Sequence, residues 1–258
     1  MKDWIMGKNP VIEALKSNHP INKIWISEGS GKGQMQTVIQ LAKERGIVVQ
    51  AVPKRKLDQW SEGNNHQGVM ASIAAYEYAD FDALLEQVTA KETFPFFLIL
   101  DEIADPHNLG SMIRTADVVG AHGVIIPKRR AVGLTSTVAK ASAGAIQYVP
   151  VTRVTNIAQT LDRLKENGLW IVGADAGGDK DYREIDYNMP LALVIGSEGK
   201  GISQLNQKKC DILVRLPMKG HVNSLNASVA AAILMYEVFN KRSPLAIEGG
   251  THGTNINR

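Results

Sequence analysis

A single cysteine, Cys210, occurs in all 258 residues, so no disulfide can staple the chain internally, and such cysteine usage suits a reducing compartment. No apolar run approaches the roughly 18–20 residues that a membrane-spanning helix needs. The start, Met1 to Lys8, includes the charged Asp3 and Lys8 besides Lys2 and lacks an apolar core of signal-peptide length. The six histidines are scattered, with no close pair at ligand spacing, so no metal site is expected. Together these absences predict a soluble cytoplasmic protein. An apolar fraction of 44% and a charged fraction of 21% are globular values, and the length allows one large or two ordinary domains.

Two glycine-rich pieces lack what a nucleotide loop requires. A P-loop needs Ser or Thr after its lysine and a glycine five residues before the second one. In Gly29-Ser30-Gly31-Lys32-Gly33 those positions hold Gly33 and Ile26, and around Lys200 they hold Gly201 and Val194. The order of glycines in Gly196 to Gly201 is not the dinucleotide fingerprint either. The first piece is read as a mobile basic loop.

Net charge is only +3, but it is unevenly spread. Residues 1–76 hold 10 basic and 6 acidic side chains, whereas residues 77–258 hold 19 and 20. A small basic module joined to a near-neutral larger one suits a nucleic-acid-binding domain attached to a domain with another task. In the small module, Asn9-Pro10 predicts a helix start with Pro at the first helical position. Strands are expected at 21–27, 47–52 and 69–76, and helices at 34–45 and 54–60. Residues 77–93 are expected to be a linker with a short amphipathic helix. Beyond it, apolar runs at 96–100, 123–127, 169–172, 191–195 and 212–216 alternate with helical stretches. Continuous apolar strands alternating with helices predict an α/β fold, its mostly parallel sheet covered on both faces. Residues 246–258 are expected to form a disordered tail, polar and glycine-containing from Glu248 onward.

Three polar loops each follow one of these apolar runs: Asp105 to Arg114, Gly196 to Gly201, and Asn223 to Ala230. Loops at the carboxyl ends of strands are where open α/β sheets bind ligands. Asn108, placed where a helix is expected to begin, suggests an anion site at the helix N-terminus. Arg114 further along that helix offers a planar fork for phosphate. Glu198, in a loop straight after a buried strand, needs a partner, and Arg114 is the natural candidate. Ser224 and Asn226 offer short hydrogen-bonding side chains at the start of the last helix. Each residue alone reads as a cap or loop side chain; three such loops together read as a small-molecule site beside an anion site.

The ordered set Asn108…Gly110-Ser111…Arg114, Gly196-Ser197-Glu198-Gly199-x-Gly201 and Ser224-Leu225-Asn226-x-Ser228-x-Ala230 resembles the three signature motifs of the SpoU (TrmH-like) RNA ribose methyltransferases of the SPOUT superfamily. The match covers roughly residues 94–242. Gly7-Lys8-Asn9-Pro10-Val11-x-Glu13-Ala14-Leu15 and His66-Gln67-Gly68 resemble the L30e-like substrate-binding domain of its RlmB-like branch. The resemblance implies an L30e-like RNA-binding domain over 1–76, the linker 77–93, a methyltransferase domain with a C-terminal trefoil knot over 94–245, and the tail 246–258.

It further implies a homodimer that uses S-adenosylmethionine to methylate a ribose 2′-hydroxyl in RNA, with a guanosine of the 23S ribosomal RNA peptidyl-transferase P loop as typical target. By position, Gly196, Leu216 and Leu225 would contact the cofactor. Asn108, Arg114, Glu198, Ser224 and Asn226 would form the catalytic end. Family accounts give the arginine a proton-accepting role. A guanidinium with a pKa above about 12 is normally only a donor, so the physical reading is that Arg114 pairs with an RNA phosphate and stabilises the alkoxide, with Glu198 positioning it. Ala227, where the pattern often shows Val, is a tolerable departure.

Other classes remain open at this point. A pyrimidine C5 methyltransferase would need a cysteine nucleophile, and Cys210 lies outside the motifs. A non-catalytic RNA-binding protein would use the basic module alone, and tRNA or antibiotic-resistance methyltransferases would keep the chemistry but change the RNA. The last helix, 227–240, is apolar almost all round, so one side is expected to meet the sheet and another a second subunit, joined by part of the helix after Asn108.

Overall fold

The computed structural model describes residues 4–17, 19–29, 33–221 and 224–243. The tail 246–258, residues 30–32 of the glycine-rich basic loop, and Asn223 of the third motif lie outside the described residues.

The first module runs Trp4–Met6 (β1), Lys8–Lys16 (α1), Ile21–Ser27 (β2), Gln34–Glu44 (α2), Val49–Val52 (β3), Lys54–Ser61 (α3) and Val69–Ile73 (β4). Its sheet has the order β1-β4-β2-β3; β2 and β3 are parallel and the other pairs antiparallel. Side-chain alternation divides the sheet residues between two faces. Ile24, Val69 and Ala71 bury with Val11, Leu15, Met35 and Val38 of α1 and α2. On the other face Trp25 and Met70 cluster with Val52 and with Leu57 of the short α3, where Trp4, Trp25 and Trp60 pack with ring centroids 5.0 to 6.2 Å apart.

The first helix does not start at Asn9-Pro10. Gly7, at φ 94°, turns the chain so that Lys8 is already helical. The Gly7 amide is tied to the Val69 carbonyl at 3.1 Å and the Lys8 amide to Gln67 Oε1 at 3.2 Å. Asn9 Oδ1 instead accepts from Gln34 Nε2, at 3.0 Å, joining α1 to α2.

The larger module runs Phe81–Lys91 (α4), Phe96–Asp101 (β5), Pro106–Val118 (α5), Gly123–Pro127 (β6), Ser136–Ala141 (α6), Val151–Val154 (β7), Ile157–Glu166 (α7), Trp170–Ala174 (β8), Lys180–Asp181 (β9), Leu191–Gly196 (β10), Gln204–Gln207 (α8), Ile212–Arg215 (β11) and Ala227–Arg242 (α9). The seven strands are all parallel, in the order β7-β6-β5-β10-β8-β11-β9. Phe96, Leu98 and Leu100 pack towards α5 and α9, whereas Phe97 and Ile99 pack towards α4 and α7. Burial on both faces explains why β5 is apolar at every residue before Asp101. Residues 77–93, read as a linker, contain α4, whose Phe81, Leu84, Leu85 and Val88 belong to the second of these cores.

Asn22 fastens the two modules. Its Nδ2 donates to Ile73 O at 3.0 Å and Leu134 O at 3.2 Å, while Tyr78 OH donates to its Oδ1. Arg153 donates to the Asn22 carbonyl at 2.9 Å and lies 4.9 Å from the Tyr78 ring centroid. A Cβ on Gly133 would stand 2.3 Å from Asn22 Oδ1, so only glycine allows this approach. Among the described residues no helix is long and apolar enough to cross a membrane.

Candidate active site

The strand order places β5 and β10 side by side at the centre of the sheet, with β6 beyond one and β8 beyond the other. Chain direction across the sheet reverses there, and beside that junction, at the carboxyl ends of β10, β8 and β11, a crevice opens. It is a cleft of about 880 Å³, walled by the ends of β8, β10 and β11, the loop 196–201 and the start of α9. That volume lies within the range of small-molecule sites. Ile195, Val214, Leu216, Met218, Leu225 and Ala230 give it an apolar lining, and Asp175, Ser197, Glu198 and Ser224 add polar groups.

The glycines of the second motif have geometric causes. A Cβ on Gly196 would stand 2.0 Å from the Gly201 carbonyl carbon, so the loop can fold back on the strand end only because none is present. Ser197 and Gly201 exchange backbone hydrogen bonds of 3.2 and 2.9 Å, and Gly199 and Gly201 take φ of 79° and 66°, a region that favours glycine. This hairpin lifts Glu198 over the start of α9.

There the three motifs converge. Glu198 Oε1 accepts from Asn108 Nδ2 at 2.9 Å, from Asn226 Nδ2, and from the Ala227 amide at 3.3 Å. Asn226 Nδ2 also donates to Asn108 Oδ1 at 3.0 Å. The other end of Asn226 caps α9, its Oδ1 accepting from the Ser228 amide at 2.9 Å, Ser228 Oγ at 2.6 Å and the Val229 amide at 3.3 Å. A carboxylate at a helix N-terminus, fed by two amide side chains, is electrostatically favourable.

Two sequence expectations fail here. The helix carrying Asn108 begins earlier, at Pro106, and Asp105 caps it by accepting from the His107 amide at 2.7 Å. A carboxylate thus already meets the positive helix end, and Asn108, buried within the helix, offers no anion site there. Nor does Glu198 pair with Arg114. Arg114 is exposed, and its side chain makes no hydrogen bond or ion pair among the described residues. The physical reason is angular: at about 100° per residue, six residues along α5 carry Arg114 roughly 240° round from Asn108. The neutral amides of Asn108 and Asn226 compensate Glu198 instead.

Of the expected cofactor contacts, Gly196, Leu216 and Leu225 all line the cleft, as does Ser224. Gly110 serves packing, since a Cβ there would meet Ala141 Cβ at 2.5 Å between α5 and α6. Cys210 is half-buried, its Sγ donates to Asn206 O at 3.3 Å, and burial pushes its thiol up to about 12, which suits a packing residue rather than a nucleophile. Sequence reasoning missed Asp175, which lines the cleft directly after β8. Its signal was the polar stretch Asp175-Ala176-Gly177-Gly178 following an apolar run.

Comparison with known proteins identifies this architecture. Residues 95–236 match the SpoU rRNA Methylase family, and residues 4–79 match the RNA 2′-O ribose methyltransferase substrate-binding family. YacO of Bacillus subtilis, named as a TrmH family tRNA/rRNA methyltransferase, is 61% identical over 94% of this chain and 97% of its own. A Staphylococcus haemolyticus protein of the same family name is 58% identical over 92% and 95%. Among solved structures, the AdoMet-bound rRNA methyltransferase from Sinorhizobium meliloti is similar with a TM-score of 0.59 and 26% identity, covering 93% of this chain and 87% of that one. The SpoU methyltransferase AviRb from Streptomyces viridochromogenes, in complex with AdoMet, gives a TM-score of 0.58 and 26% identity over 93% and 90%. The chain belongs to the TrmH/SpoU family of RNA 2′-O-ribose methyltransferases, whose cofactor is S-adenosylmethionine.

Proposed function

We propose that this enzyme methylates a guanosine ribose of 23S ribosomal RNA, in the peptidyl-transferase P loop, working in the cytoplasm as a homodimer. The observation that carries the catalytic part is the meeting of all three motifs at Glu198, on the rim of the 880 Å³ cleft. The preference for ribosomal RNA is supported by the similar rRNA methyltransferase from Sinorhizobium meliloti, while the relatives' names include tRNA as well.

The bound cofactor supplies an electrophilic methyl group in a cleft whose walls include Gly196, Leu216 and Leu225. What the protein adds is position and charge. Asn108, Glu198 and Asn226 clamp the ends of β10, α5 and α9 into one unit, so that a ribose hydroxyl can be held in line with the methyl group, an effect worth several kcal/mol. Ser224 lies at the mouth of the cleft, within reach of an entering nucleotide. Arg114, exposed and unpaired among the described residues, serves an RNA phosphate beside the target ribose and stabilises the developing alkoxide. The proton then leaves through that phosphate or a water. Residues 1–76, as an RNA-binding domain joined at 77–93 to the catalytic domain 94–245, bring the excess of basic charge that phosphate contact rewards. The return of β10 to the sheet centre, between β5 and β8, is the strand order on which we place the C-terminal trefoil knot.

The dimer rests on a surface. Val229, Tyr236 and Phe239 of α9 are 46%, 44% and 39% exposed, and Val118 at the end of α5 is 58% exposed. Positions 229, 236 and 239, with half-buried Ile233 between them, form one stripe of the helix. Pairing of α5 and α9 across two copies would carry a free Arg114 towards the neighbouring cleft.

Methyl transfer from labelled S-adenosylmethionine to ribosomal RNA and to tRNA, with the modified nucleotide mapped, tests the substrate. Methylation confined to tRNA, or to a different ribosomal site, overturns that assignment. Arg114→Ala should lower transfer by orders of magnitude and leave cofactor affinity within a few-fold; near-wild-type turnover would remove Arg114 from the mechanism. Sedimentation of the same protein at assay concentration should show a dimer, and a fully active monomer defeats the shared-site reading.

A further inference from the structure

We propose that Asp175 is the acceptor for the ribose hydroxyls of the bound S-adenosylmethionine, held in place for that purpose by Gln207. Asp175 stands at the carboxyl end of β8, half-buried, on the wall of the cleft. Its Oδ2 accepts from Gln207 Nε2 at 2.6 Å and its Oδ1 from the Gly177 amide at 2.9 Å. A carboxylate offers about four lone-pair positions, so one on each oxygen stays open. Two adjacent hydroxyls of a ribose bring two donors, which matches that remaining capacity.

The surroundings favour this use over others. No lysine or arginine forms an ion pair with Asp175 among the described residues. The nearby Arg215 directs its guanidinium to the carbonyls of Gly178 and Asp179, at 2.7 and 3.0 Å. Glu198, the other carboxylate in the cleft wall, gives Oε1 to three donors from α5 and α9. Gly201 supports the same reading from the facing loop. A Cβ there would stand in ordinary contact with Asp175 Oδ2, at 3.5 Å, so the backbone of this loop faces the carboxylate directly. Gln207 is itself anchored, since α8 is tied to the sheet through Asn206, whose Nδ2 donates to Asp101 at 2.8 Å. In doubly wound sheets an acidic side chain near a strand's carboxyl end is a recurrent ligand of ribose hydroxyls.

The inference rests on the cofactor shown by the relatives and predicts which part of it Asp175 touches. The test is calorimetric binding of three probes to the full chain: S-adenosylhomocysteine, 5′-methylthioadenosine, which has the ribose but no amino-acid portion, and the 2′,3′-dideoxy form of the latter. Asp175→Asn preserves shape and should weaken the first two probes alike, by about tenfold, as expected for loss of charge-assisted hydrogen bonds. The wild-type protein should lose a similar factor when the two hydroxyls are removed, and the variant should barely distinguish the two nucleosides. Gln207→Leu, which leaves the carboxylate but removes its support, should give a smaller loss in the same direction. If Asp175→Asn weakens S-adenosylhomocysteine but not 5′-methylthioadenosine, the carboxylate meets the ammonium group instead and the proposal falls. It falls equally if wild-type protein binds the dideoxy probe as tightly as its parent, a comparison that needs no variant to fold. Failure of wild-type protein to bind S-adenosylhomocysteine would instead strike the cofactor assignment itself.

Discussion

Asp101 and Glu198 sit at the carboxyl ends of neighbouring strands and are held by the same kind of partners, yet one is sealed and the other open. Asp101 Oδ2 accepts from Asn206 Nδ2 at 2.8 Å and from the Ser203 amide at 2.9 Å, and the residue is 4% exposed. Glu198 Oε1 accepts from two asparagine amides and the Ala227 amide, but stands exposed at the rim of the cleft. Each carboxylate therefore fastens a helix start to a strand end. Buried, the arrangement is a fixed joint, because every partner lost would be left without water. At the rim, water can replace a partner at small cost, so the same chemistry is free to serve a reaction.

The largest effect should come from opening the sealed joint. Asp101→Ala strands the Asn206 amide and the Ser203 N–H, each at roughly 1–3 kcal/mol when buried and unsatisfied. Unfolding in urea should show a loss of about 4 kcal/mol. A loss below about 1 kcal/mol would mean that water enters this joint readily, and the contrast with Glu198 would vanish.

Glu198→Ala should reverse the balance between stability and activity. Only Asn108 among its side-chain partners is buried, so the stability cost should stay near 1 kcal/mol. Methyl transfer should fall by about a hundredfold, because the clamp between α5, β10 and α9 is lost while the cleft remains. Cofactor binding measured alongside should change by only a few-fold. A variant that unfolds as easily as Asp101→Ala would show that Glu198 is a structural joint as well.

What could be read from the sequence follows the same division. The buried strands were legible, since short apolar runs such as 96–100 and 191–195, alternating with helical stretches, are what a sheet covered on both faces requires. The three loops were legible as a site because each follows such a run. Partners were less so. A charge argument reaches from Glu198 to Arg114, whereas two neutral amides and a backbone N–H converge on the carboxylate, and nothing in a linear chain shows that convergence. The true start of α5 was open to the same reading as Asn9-Pro10, since Asp105-Pro106 is an N-cap followed by Pro three residues before Asn108, but the motif drew attention to Asn108 instead. Trp4–Met6 and Lys180–Asp181 are too short for strand alternation to show, and both gain their identity only from a neighbouring strand. Asp175 escaped because its loop lies outside the recurring motifs.

The smallest effect concerns Cys210, which lies against the sealed joint through its bond to the Asn206 carbonyl. Burial, the largest cause, raises its thiol from 9.0 to about 12, and the carboxylates of Asp211, Asp101 and Asp175 push the same way while Lys165 opposes them. The folded state thus favours the protonated thiol. This contribution to stability is complete below pH 9, the ordinary thiol value, and is lost as pH rises towards about 12. Alkylation requires the thiolate, so at pH 8.5 native protein should react with iodoacetamide far more slowly than the urea-unfolded chain, by about two orders of magnitude or more, because its thiolate population is that much smaller. Asp101→Ala, by loosening α8, should bring the native rate closer to the unfolded one, whereas Glu198→Ala should leave it alone. If Cys210 in the native protein reacts at the rate of a free thiol, the region behind α8 is open to solvent, and Asp101 and Glu198 differ far less than their burial implies.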